Sequence, residues 1–196
     1  MDLLRSDTAL SIVPQPPPPG LYLTLGPEGL CSWALESLTR TLASPSRIVW
    51  VDAANAFNAY LVAMAARSVL KDPREALRAF QVARPFTAYQ LEVMVTEKTR
   101  PAVERLRALV AVVADPLRLF AEAEGRDTQL RLCYQRFLAG LKALAQNTAV
   151  VVLSSSARSA YTGPLLSAAG RITRLGMEDQ RRVLSLVSSR DALADP

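Results

Sequence analysis

Apolar and polar residues follow one another along this chain in two different periods. Short, nearly continuous apolar runs occupy residues 21–25, 47–51, 81–84, 109–114 and 149–153, the length of strands. Helix-like stretches lie between them, at 30–42, 56–70, 88–106 and 128–145. The last of these places Leu130, Tyr134, Phe137, Leu138, Leu141 and Leu144 on a 3.6-residue period. Strands that are apolar throughout and alternate with helices predict an α/β fold, a mostly parallel twisted sheet covered by helices on both faces. The end changes character. "GRITRLG" and "RRVLSLVSS" flank a turn-like 177–180 and predict an antiparallel hairpin.

A chain of 196 residues, half of them apolar, buries one good core, roughly 70% of its unfolded surface at this size. One domain over 21–196 is therefore expected. Residues 1–20 end in "PQPPPPG", which favours an extended polyproline segment and cannot join a sheet interior, so they read as a flexible tail or spacer. Basic residues exceed acidic ones by five, almost wholly through arginine, a balance that suits an anionic partner or simply a basic surface. Histidine is absent, which excludes His-based catalysis and His-ligated metals, and Cys31 and Cys133 form no disulfide or metal framework. The apolar run "LVAVVA" is far too short to span a bilayer, and the N-terminus lacks the pattern of a secretory leader. These features lead us to expect a soluble cytoplasmic protein, or a nuclear one in a eukaryotic cell, with no membrane partner.

The chemistry begins at "LYLTLGPEGLCSW", residues 21–33. An apolar strand running into Gly26-Pro27-Glu28-Gly29 and then a helix is how a phosphate-binding loop starts. Such a loop ends Gly-Lys-Ser or Gly-Lys-Thr, and this one ends Cys31-Ser32-Trp33.

Six strings, in order, carry a resemblance to the RecA/RadA recombinase superfamily over about residues 20–193. They are Gly26-Pro27-Glu28 opening the loop, "VDAANAF" after the second strand, "VARPFTAYQLEVMV", "ALVAVVADPLRLF", "GRDTQLRLCYQRFLAGLKALAQNTAVVVLSS" and "GRITRLGMEDQRRVLSLVSSRDALAD". The resemblance implies a RecA-like P-loop NTPase core. It also implies roles that this chain has vacated. In register, Cys31 stands for the late glycine beside Leu30, Ser32 for the phosphate-bridging lysine and Trp33 for the Mg²⁺ ligand. Ala54 stands for the glutamate that positions water, and the serines at 154–156 for the glutamine sensor. Asp115 keeps the Walker B position, although it and Asp52 could equally cap the turns that follow their strands. The expectation is a non-enzyme with no ATP cofactor and no metal.

Other roles survive in this reading. The resemblance places DNA-binding loops at about 116–129, with Arg118 and Arg126 followed by Arg131 and Arg136, and at about 154–163, with Arg158 and Tyr161 as cation and stacking platform. Glu122, Glu124 and Asp127 dilute the first loop. The expected partner is another RecA-family subunit, met where nucleotide would sit, around Glu28, Trp33 and Asn55. Single-stranded DNA is a second candidate, and both homo- and hetero-oligomers are compatible. Trp33 has a plainer alternative role as core. The expected function is a catalytically inactive accessory of recombination or DNA repair. An atypical ATPase and a purely structural subunit without a DNA role are the alternatives.

Overall fold

A computed structural model describes residues 17–41, 46–123, 128–155, 160–178 and 181–194. Seven strands form one sheet: β1 (Gly20–Leu25), β2 (Ile48–Asp52), β3 (Phe80–Ala83), β4 (Val110–Ala114), β5 (Ala149–Ser154), β6 (Arg171–Glu178) and β7 (Arg181–Leu186). Their order across the sheet is β3-β2-β4-β5-β1-β6-β7. All neighbours are parallel except β6 and β7, which make an antiparallel hairpin. The molecule is thus α/β with a mostly parallel sheet.

The central strands are apolar throughout because both faces are covered. Val49 and Val51 of β2, Ala111 and Val113 of β4, and Val150 and Val152 of β5 face one core. Ile48 and Trp50, Val112 and Ala114, and Val151 and Leu153 face the other. The second core is closed by α1 (Leu30–Thr41), α2 (Ala59–Ser68) and the short α3 (Pro73–Arg78). The first is closed by α4 (Ala88–Val93), α5 (Thr99–Leu106), α6 (Pro116–Glu122), α7 (Thr128–Ala145) and α8 (Thr162–Ala168). Connections that step one way across the sheet run over one face, and those that step back run over the other. Right-handed crossovers require this division.

Several boundaries differ from the sequence expectation, each for a local reason. The helix expected from 56 starts at Ala59, because Asn58 is extended and its side chain accepts the N–H groups of Tyr60 and Leu61. Three short helices went unforeseen: α3, α6 and α8, six or seven residues long. Pro73 and Pro116 open the first two at positions where a missing N–H costs nothing. The stretch expected as one loop from 116 is therefore helical as far as Glu122, and the expected 154–163 loop ends inside α8. The helix expected over 88–106 is interrupted by a π-helical turn at Met94–Lys98. Pro101 cannot donate to the carbonyl four residues back, at Glu97, and its ring crowds that group, so the turn widens there. A further short helix, α9 (Asp191–Ala194), follows β7. Most of the expected Pro-rich tail lies outside the described residues.

Candidate functional site

The loop from Gly26 to Gly29 joins the central strand β1 to α1. Its sheet neighbour β5 is followed by α8 on the opposite face, so the ends of β1 and β5 open a crevice at a switch in connection direction, where α/β sheets bind ligands. The loop is pinned there. Gly26 N–H donates to the Ser154 carbonyl at 3.2 Å. A Cβ on Gly26 would lie 3.0 Å from Leu30 Cδ1 and 3.2 Å from Leu175 Cβ, so a side chain there would have to push α1 or β6 back by a few tenths of an ångström. Gly29, at φ 90°, turns the chain into the helix.

Apolar side chains fill the inner side of this loop. Leu30 is 1% exposed, Cys31 8% and Trp33 6%, and all three belong to the core beneath α1. The Trp33 backbone N–H donates to the Gly29 carbonyl at 3.0 Å as α1 begins. The Trp33 ring therefore packs as core and presents no exposed anchor to a partner, a correction to its candidate interface role. Glu28 and Asn55 are exposed, and Asn55 adopts the left-handed conformation at φ 52°, which asparagine tolerates. Ser32 is half-buried, as is Ala54 in the turn after β2.

Two buried carboxylates stand at the crevice, and both are engaged. Asp52 is fully buried and accepts the N–H groups of Ala56 at 2.8 Å and Phe57 at 3.1 Å, and Arg84 Nε at 2.9 Å. It staples the turn after β2 and ties it to the end of β3. Asp115 sits at the N-cap of α6 in the left-handed region, φ 48°, yet its side chain caps nothing on that helix. It instead accepts the Ser155 hydroxyl through Oδ2 and the Ser155 N–H through Oδ1 at 3.3 Å, joining the ends of β4 and β5. The expected turn-capping role holds for Asp52 and fails for Asp115, because a left-handed N-cap turns the carboxylate toward β5.

Between these acids lies the Cys31 thiol. Burial first, then the charges of Asp115 and Asp52, push it up to about 12, so it stays protonated. At the crevice Asp52 pairs with the Arg84 guanidinium at 2.9 Å, and the charge of Asp115 is felt by Arg118 at the start of α6. Among the described residues no group of three His, Cys, Asp or Glu side chains could hold a metal ion, and no helix is long and apolar enough to cross a membrane.

The described candidate DNA residues stand on α6, on α7 and at the start of α8. Arg118 is exposed on α6 and pairs with Glu122 at 2.6 Å, and Arg131 is exposed on α7. Tyr161 is half-buried, its ring 4.6 Å from Tyr134 and 5.4 Å from Phe120, and the Tyr134 hydroxyl donates to its carbonyl. A ring packed in that cluster makes a poor stacking platform for bases. Arg126 and Arg158 lie outside the described residues. Arg84, which pairs with Asp52, was not singled out by sequence reading, and Ser155 entered it only as part of a vacated sensor position, not as a partner of Asp115. Nothing local marks them, because each comes from a different strand end than its carboxylate.

No family model matches the chain, and no curated protein matches it.

Proposed function

We propose that this protein is a RecA-like core that does no nucleotide chemistry and serves as an accessory of recombination or DNA repair, binding another RecA-family subunit and, more weakly, DNA. The observation that carries the reading is the crevice at the ends of β1, β2, β4 and β5. Its loop has the outline of a phosphate-binding loop and stands beside the Asp115 strand end, which fits the six-string resemblance. Its interior is closed by Leu30, Cys31 and Trp33, and both buried acids are committed to protein donors. With no lysine in the loop, a triphosphate would lack its bridging cation. A scaffold that keeps the outline and closes the cavity suits binding through its rim, where Glu28 and Asn55 are exposed.

Calorimetric titration with ATP in the presence of Mg²⁺ tests the first half of this reading. No heat of binding is expected, and a micromolar, Mg²⁺-dependent association would overturn it. Sedimentation of the protein mixed with a RecA-family recombinase from the same host tests the second half. A heavier complex is expected, weakened by Glu28→Arg with Asn55→Arg, and independent migration of the two proteins would reject the partner.

A further inference from the structure

Away from the crevice, α4, the π-helical turn and α5 run side by side with α7 in the same direction. Three contacts set the register. The Cys133 thiol donates to the Ala88 carbonyl at 3.5 Å, Gly140 lies against Val95 and Thr96, and Arg100 donates to the Ala143 carbonyl at 2.8 Å. Between the two ridges runs a groove of about 420 Å³. Its floor is Val95, Gly140 and Leu144, and Thr96, Ala139 and Ala143 keep its walls low. Its rim carries Arg100 and Arg136, opposed by Glu92. Toward its start stand the exposed apolar side chains of Tyr89, Val93 and Leu132.

The groove has a defined shape because the π-helical turn is satisfied internally. Thr99 Oγ1 donates to the Met94 carbonyl at 2.8 Å, and Thr96 Oγ1 to the Glu92 carbonyl at 2.9 Å. Turns of this kind are rare and concentrate at functional sites. A trough between two parallel helices, low-walled and apolar along its floor, accepts a third helix by ridge-and-groove packing. Charge selects the kind of helix. Arg131, Arg136 and Lys142 are exposed on α7, which carries no carboxylate along its length.

We propose that this groove docks an acidic amphipathic helix of a partner protein, its apolar stripe on Tyr89, Leu132 and the floor and its carboxylates against Arg136 and Arg100. The stretch from Ala88 to Arg100 spans about 18 Å, room for roughly 12 helical residues. This surface stands apart from the crevice and does not depend on the recombinase resemblance.

The test selects binders to the full chain from a displayed library of helical peptides about 14 residues long. It then measures their affinity by fluorescence anisotropy. Selected helices are expected to be acidic beside an i, i+3/i+4 apolar stripe. Arg136→Gln, which removes charge, and Ala139→Gln, which narrows the groove at constant charge, should each weaken them tenfold or more. Both positions are exposed, and circular dichroism with thermal melting verifies that each variant keeps its fold. Neutral or basic winners, or affinities that neither variant moves, would overturn the proposal. So would displacement of the helices by single-stranded oligodeoxythymidylate, which would assign the cationic face to nucleic acid.

Discussion

Single side chains set the strongest local commitments of this fold. Asp52 serves three donors from complete burial, whereas Arg84 is 41% exposed and can return to water. Removing the two should therefore cost different amounts. Asp52→Ala strands two backbone N–H groups and is expected to cost about 3 kcal/mol, while Arg84→Ala leaves the carboxylate with those same donors and should cost about 1 kcal/mol. Urea midpoints check the order, and equal losses would show that Arg84, not the turn, is the main partner. The thiols make a second prediction. Cys31 is pushed up to about 12 and Cys133 to about 11, against an ordinary 9.0, both first by burial, and burial also raises Tyr134. The folded chain thus keeps protons that the unfolded chain releases above about pH 9. Stability from these groups is complete below that pH and falls as pH rises further. Unfolding midpoints at about pH 8 and about pH 10.5 should show this decline. Native thiols should react with a disulfide reagent at least about tenfold more slowly than unfolded ones.

Among the elements, α7 packs closely against the π-helical turn. A Cβ on Gly140 would come 2.9 Å from Thr96 Cγ2 and 3.2 Å from Val95 Cγ1. Thr96 cannot swing away freely, because its hydroxyl is bonded to the Glu92 carbonyl. Alanine favours a helix interior over glycine by about 1 kcal/mol. Overpacking of this kind costs roughly 1–3 kcal/mol. Gly140→Ala should therefore destabilise the protein by about 1 kcal/mol net, and adding Thr96→Ala should restore it. A stabilised single variant would mean that the two ridges separate easily. The sequence pattern showed both helices here, since a 3.6-residue period survives a change of one turn. The π-helical turn itself was legible only as a proline at 101. The three short helices have too few residues to display a period at all.

On the scale of the whole molecule, the loop after β1 is backed by core side chains, and installing a phosphate-binding motif there should fail. Cys31→Gly, Ser32→Lys and Trp33→Thr together restore the loop motif on paper. In the fold they remove a tryptophan that is 6% exposed and place a glycine in the first turn of α1. Loss of the ring alone costs about 3–5 kcal/mol through the cavity it leaves. The triple variant is expected to melt far below the parent, and where it remains folded it should show no ATP turnover above background. Ala54 and Ser155 offer no water-positioning acid, a contribution typically worth about 10²–10⁴-fold. Robust turnover by a folded variant would mean that another acid supplies that help. The amino-acid pattern by itself determined the α/β class, five parallel strands within a few residues, the terminal hairpin and the departure from a phosphate-binding motif, because periodicity and loop chemistry are local. It left Trp33 open between interface and core, and Asp115 open between a cap and a site. Tertiary structure supplied their surroundings: the indole is buried, and the carboxylate caps nothing on α6. Burial of the indole depends on α1 packing against α2 and over β5, and the carboxylate's partner arrives from the end of β5, forty residues along the chain. No local pattern encodes which strand ends will meet; the order of the sheet does.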